Sequence, residues 1–218
     1  HGFGVLAPDL PGHMRSAGPA LENVEAMADW LLALLDAAGV EKAALVGHSM
    51  GSLVALDAAG RAPERTTRLV MVGTAYPMKV SPALLDLSRT DPLAAIDMVT
   101  MLSYSTLAAK PGYPGPGVWT RGGGKALCRL VLAHQGDALL YHRDFLACDS
   151  YQGGLAAAAK VTAPASLILG VRDQMTVPKA ATEIGTALKA RIERVEAGHV
   201  LMAEAPDAVL NALRRSLA

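Results

Sequence analysis

Ala43-Ala44-Leu45-Val46-Gly47-His48-Ser49-Met50-Gly51 holds the pattern from which the rest of the chain can be read. Four apolar residues end at a glycine, too short a run for a helix, and read as a strand buried under helices on both faces. Apolar helical spacing resumes over residues 53–59, so Ser49 sits at a sharp turn between strand and helix. On the N-terminal side a helix fits residues 21–38. Leu21, Val24, Ala28, Leu31 and Leu35 share one face, Glu22 and Glu25 suit the positive N-terminal end, and Gly39 supplies the stop. Residues 5–8 form a further short strand candidate, followed by the turn-rich Asp9-Leu10-Pro11-Gly12-His13.

On the C-terminal side the alternation continues. The helix after Ser49 ends near Gly60 and Pro63, and residues 69–72 and 166–169 are buried-strand runs. A helix begins near Pro178, residues 191–195 form a last strand, and a final helix is opened by Pro206 and closed by Arg214 and Arg215. This is an α/β fold with a mostly parallel sheet flanked by helices. Between residues 77 and 160 the rhythm breaks. Pro82, Pro92, the Pro-Gly-rich residues 111–117 and Gly122-Gly123-Gly124 interrupt two helical patches at 84–101 and 127–145. The chain is therefore expected to divide into a core, 1–76 and 161–218, and a helical insertion, 77–160. Gly122-Gly123-Gly124-Lys125 lacks the Ser or Thr that a phosphate-binding loop needs after its lysine, since Ala126 follows, and is expected to be a flexible loop.

Composition narrows the function. The chain has 218 residues, 51% of them hydrophobic, with 20 Lys and Arg against 20 Asp and Glu, which describes a single globular unit with a full core. Balanced charge without a basic run leaves no electrostatic footprint for nucleic acid or an anionic membrane. Two cysteines, Cys128 and Cys148, are too few for a disulfide framework and read as free thiols of a reducing compartment. No run approaches the roughly 20 apolar residues of a membrane-spanning helix, and the first residues lack signal-peptide character. A cytoplasmic protein acting on a small molecule is expected, with no cofactor and an open oligomeric state.

The serine at the turn carries the chemistry. Gly47-His48-Ser49-Met50-Gly51 is a G-x-S-x-G elbow, in which side chains at either flanking glycine are expected to collide with neighbouring backbone. A serine hydroxyl is a poor nucleophile at neutral pH and needs a histidine base oriented by an acid. Asp173 follows the strand run at 166–169, and His199 follows the one at 191–195.

Four segments, Ala7-Pro8-Asp9-Leu10-Pro11-Gly12-His13, the elbow, Gly170-Val171-Arg172-Asp173 and Gly198-His199-Val200-Leu201-Met202-Ala203-Glu204-Ala205-Pro206, resemble the α/β-hydrolase fold family. The resemblance covers nearly the whole chain outside the insertion. It implies Ser49 as nucleophile, His199 as general base and then acid, Asp173 as the carboxylate that fixes the imidazole tautomer, and the Met50 backbone N–H as an oxyanion donor. It also implies that residues 77–160 form a helical cap over the site. Relatives begin with strands that precede this chain's first one, and with a His-Gly-type loop that supplies a second oxyanion donor. His1-Gly2-Phe3 stands too close to residues 5–8 for that role, so the chain reads as an N-terminally truncated hydrolase fold with a gap in its sheet. Met14 stands where relatives usually carry glycine.

Other residues read as structural. His48 is expected to pack beside the elbow. His134, His142, Asp137 and Asp144 show no metal-ligand spacing and are expected on solvated helix faces. Met78, Met98, Met101 and Met175 suit core filling or an apolar pocket. The function implied is a serine hydrolase, a carboxylic ester hydrolase in the first place, cleaving a small, largely apolar ester through an acyl-enzyme. Thioester or carbon–carbon bond hydrolysis by the same triad, or a non-catalytic binding protein of the same fold, are the alternatives.

Overall fold

The computed structural model describes residues 2–105 and 118–218, so His1 and the Pro-Gly-rich residues 111–117 lie outside the described residues. Four strands, β1 (Ala43–His48), β2 (Thr66–Val72), β3 (Ala165–Gly170) and β4 (Arg191–Val195), pair in parallel in the order β1-β2-β3-β4. Because successive side chains of a strand point to opposite faces, the apolar runs divide into two cores. Leu69, Met71, Leu167 and Leu169 join one core with α1 (Val24–Ala37), α2 (Met50–Arg61) and Ile184 of α8 (Thr182–Ala187). Val70, Val72, Ile168 and Val195 join the other with Val209 and Ala212 of α10 (Pro206–Leu217). Local signals set the helix ends. Asn23 Oδ1 accepts from Ala26 N–H (2.7 Å) to start α1, and Gly39 takes a positive φ of 66° just past its end.

Residues 77–160 supply α3 (Pro82–Thr90), α4 (Pro92–Ser103), α5 (Thr120–Gln135), α6 (Leu140–Ser150) and α7 (Gly154–Ala158) between β2 and β3. Each helical patch of the sequence is two helices. Asp91 ends the first and caps the second through its carboxylate on Ala94 N–H (3.0 Å), and Gly136 turns α5 toward α6 at φ 65°. The four-residue α9 (Leu201–Glu204) precedes α10. Among the described residues, no helix is long and apolar enough to cross a membrane.

Four expectations need correction. Residues 5–8 are not a strand: Val5 is 80% exposed, and among the described residues no neighbouring strand offers this segment a ladder. β1 is not covered on both faces. It is an edge strand, and Val46 is 47% exposed because α10 packs against the other three strands. Gly122-Gly123-Gly124 lies inside α5 rather than in a loop, and a Cβ on Gly122 would overlap the Trp119 ring and one on Gly124 the Tyr104 hydroxyl. Asp144 is not on a solvated face. It is buried and bonds His13 from the far end of the chain at 3.0 Å.

Candidate active site

The carboxyl ends of the strands bring the sequence motifs together. β1 stops at His48 and α2 starts at Met50, leaving Ser49 at φ 52°, ψ −123°, a conformation that side-chain-bearing residues adopt only at a cost. Its N–H donates to Val72 O (3.0 Å), its carbonyl accepts from Ser52 Oγ (2.5 Å), and Ser52 also pairs with Thr74 Oγ1 (2.7 Å). The backbone at Ser49 is thus held at both its N–H and its carbonyl. The Ser49 side chain makes no capping bond to α2, so it does not serve the helix end as an ordinary N-cap would. The expected collision holds for one glycine only. A Cβ on Gly47 would overlap the carbonyl of Gly51, whereas one on Gly51 meets nothing within 4 Å.

Past β3, Asp173 is buried with its carboxylate fully shielded. Oδ1 accepts from Met175 N–H and Thr176 N–H, both at 2.8 Å. Oδ2 accepts from Thr176 Oγ1 at 2.7 Å and meets His199 Nδ1 at 2.8 Å. The turn-capping role and the contact with histidine coexist in one carboxylate. Burial pushes the Asp173 carboxyl up, but the bond to His199, its charge and the Thr176 donors outweigh burial and hold the group below the usual carboxylate range.

His199 is buried in the loop after β4, and its ring centroid stands 4.7 Å from that of His48. The His48 Nε2–H donates to the carbonyl of His199 at 2.8 Å. Burial first, and then the charge of His199, press the His48 imidazole down to about 4, so the ring is neutral at pH 7. No hydrogen bond joins Ser49 to His199 among the described residues. Catalytic hydrogen bonds commonly tighten only around a bound reactant.

Ser49 and Met50 line a cleft of about 1500 Å³, whose walls also include Met78, Leu84, Leu102, Tyr141, Phe145 and residues of β1. The Met50 N–H, first in α2, is among the helix-terminal donors that have no intrahelical acceptor. Of the four methionines singled out above, Met78 and Met175 line the cleft, while Met101 is 46% exposed. His142 bonds Leu85 O and Ser88 Oγ, and no group of three or more His, Cys, Asp or Glu among the described residues could hold a metal ion. Met14 has φ 40°, the left-handed backbone that glycine would adopt without strain.

Thr176, Ser52, Thr74 and the bond from His48 to His199 were missed by sequence reasoning. Asp173 and Thr176 stand at the spacing of a side-chain-capped turn, which could have flagged the threonine. The others join residues far apart in the chain and leave no local signal.

A model of the α/β hydrolase fold family matches residues 1–100. The enol-lactonase from Burkholderia xenovorans LB400 superposes with a TM-score of 0.79 at 25% identity, over 96% of this chain and 78% of that one. The chain has the α/β-hydrolase fold. Sequence relatives of this hydrolase-fold chain include the dihydrolipoyllysine-residue acetyltransferase component of the acetoin cleaving system of Pseudomonas putida, 45% identical over 73 residues. They also include 2-hydroxymuconate semialdehyde hydrolase of Pseudomonas sp. (strain CF600), 44% identical over 73 residues. Each match takes in 33% of this chain, and it spans only 20% and 26% of the length of those two curated relatives.

Proposed function

We propose that this chain is a serine hydrolase that cleaves a small, largely apolar carboxylic ester through an acyl-enzyme. Ser49 Oγ attacks the carbonyl carbon while His199 Nε2 takes the hydroxyl proton, and the Met50 N–H receives the oxyanion that forms. The carbon–oxygen bond to the leaving alcohol then breaks, with His199 returning the proton to that oxygen. Water, deprotonated by the same imidazole, attacks the acyl carbon and releases the acid and Ser49. Asp173 holds the imidazole with Nδ1 protonated, which leaves Nε2 free to accept. The helices α3 to α7 act as a cap, and the apolar side chains that line the cleft with Ser49 favour an uncharged acyl group.

The observation that carries this reading is the buried Asp173–His199 bond of 2.8 Å, beside an elbow that holds Ser49 at positive φ. A fluorophosphonate probe tests it directly. Covalent labelling that disappears in Ser49→Ala is expected, and a well-folded chain that takes no label would end the proposal in favour of a binding protein of the same fold. The likeness to 2-hydroxymuconate semialdehyde hydrolase favours a second reading, carbon–carbon bond cleavage by the same residues. Comparing turnover of 4-nitrophenyl acetate with that of a vinylogous 1,5-diketone separates the two.

A further inference from the structure

Glu204, the last residue of α9, is a buried carboxylate that the proton transfers above do not use. Its Oε2 accepts from the Gly198 N–H, one residue before His199. Its Oε1 accepts from the backbone N–H of Ser105 (3.0 Å) and from Ser105 Oγ (2.7 Å). Ser105 lies two residues past the end of α4. The carbonyl of Ser103, at that end, accepts from the N–H groups of His199 (2.8 Å) and Val200 (3.1 Å). A Cβ on Gly198 would stand 2.7 Å from Ser105 N, 2.8 Å from Ser103 O and 2.9 Å from Glu204 Oε2, so only glycine fits between these groups. Residues 103–105 and 198–200 are therefore pressed face to face with one carboxylate bonded to both.

A buried carboxylate is costly unless donors surround it, and here the donors come from two segments that the chain brings together across 99 residues. We propose that Glu204 is a positioning residue for His199, tying the loop that carries the imidazole to the foot of α4. The proposal rests on His199 being the proton acceptor of the reaction above. Leu102, one residue before Ser103, lines the cleft, so a bound acyl chain presses directly on the helix end that holds the His199 backbone. The imidazole then keeps its line between Asp173 and Ser49 only while α4 is seated, and Glu204 is the side chain that seats it.

Glu204→Gln tests this, because the amide presents an N–H₂ to one of the donors that the carboxylate accepted. With 4-nitrophenyl acetate, kcat is expected to fall about tenfold or more, as small misplacements of catalytic groups do, with KM little changed. The pH midpoint of fluorophosphonate labelling is expected to move with it. Ser105→Ala removes the hydroxyl donor and keeps the backbone one, and a smaller fall is expected. If the wild type is labelled and both variants are labelled at its rate and with its pH profile, Glu204 has no positioning role. If Glu204→Gln fails to fold, Ser105→Ala alone decides, a slower rate supporting the role and an unchanged rate overturning it. If the wild type takes no label, the hydrolase reading fails on its own. Histidine NMR then settles the positioning claim: a His199 titration displaced in Glu204→Gln supports it, and one unmoved overturns it.

Discussion

His48 donates Nε2–H to the carbonyl of His199 at 2.8 Å, so the residue before the elbow serine grips the backbone of the histidine that contacts Asp173. The ring carries out this donation from a site that disfavours its charged form. The ring stays neutral because burial and the neighbouring His199 hold it down to about 4. In the unfolded chain His48 returns to its ordinary 6.5, so between pH 6.5 and 4 the unfolded state takes up a proton that the folded state refuses. The His48 contribution to stability is therefore expected to decline as pH falls through that window. Urea midpoints measured from pH 7 to 4.5 should fall less steeply in His48→Gln than in the wild type.

The His13–Asp144 pair titrates with the opposite sign. Burial alone would depress His13, but the hydrogen bond and charge of Asp144 more than reverse this, with help from Pro11 O and Asp9, and its pKa is raised. A raised folded value means stability that is fully present below the ordinary 6.5 and lost as pH rises through the folded value. Asp144→Asn is expected to flatten the fall in urea midpoint between pH 6 and 8.5. An equally steep fall in the variant would show that the pair contributes nothing.

Asp173→Asn is expected to leave the fold near native while lowering the hydrolytic rate by about 10³–10⁴, because the amide favours the wrong imidazole tautomer. Rates of 4-nitrophenyl acetate cleavage, read beside the far-UV circular dichroism spectrum, check both halves. The depressed Asp173 carboxyl adds stability present above the ordinary 3.8 and lost as pH falls through its folded value, and the variant should lack that acid-limb loss.

Core and elbow substitutions separate packing from strain. Leu69 and Leu167 are fully buried on the face of the sheet under α1 and α2, and Leu69→Ala is expected to cost about 2–5 kcal/mol in urea unfolding. Gly47→Ala has no room to relax, since its methyl would overlap the Gly51 carbonyl. It is expected to abolish probe labelling of Ser49 even in whatever fraction folds.

Much of this molecule was legible in its residues because the deciding signals are local. The apolar run before Gly47 and the glycines of the elbow announce themselves within short windows. What escaped depends on partners distant in sequence. An apolar run looks the same whether or not a helix covers its second face, so the run alone does not reveal that Val46 is exposed. Residues 5–8 carry strand-forming side chains but no neighbour to pair with, and pairing is what makes a strand. Three glycines in a row speak against helix, yet they lie within α5, where Trp119 and Tyr104 leave no room for a Cβ at Gly122 or Gly124. Glu204 lay in a quoted motif, but the Ser105 that gives it meaning stands 99 residues away.

The exposed Val46 stands three residues before Ser49 and lines the same cleft, so a substitution made there to alter the surface of β1 also alters the surroundings of the elbow.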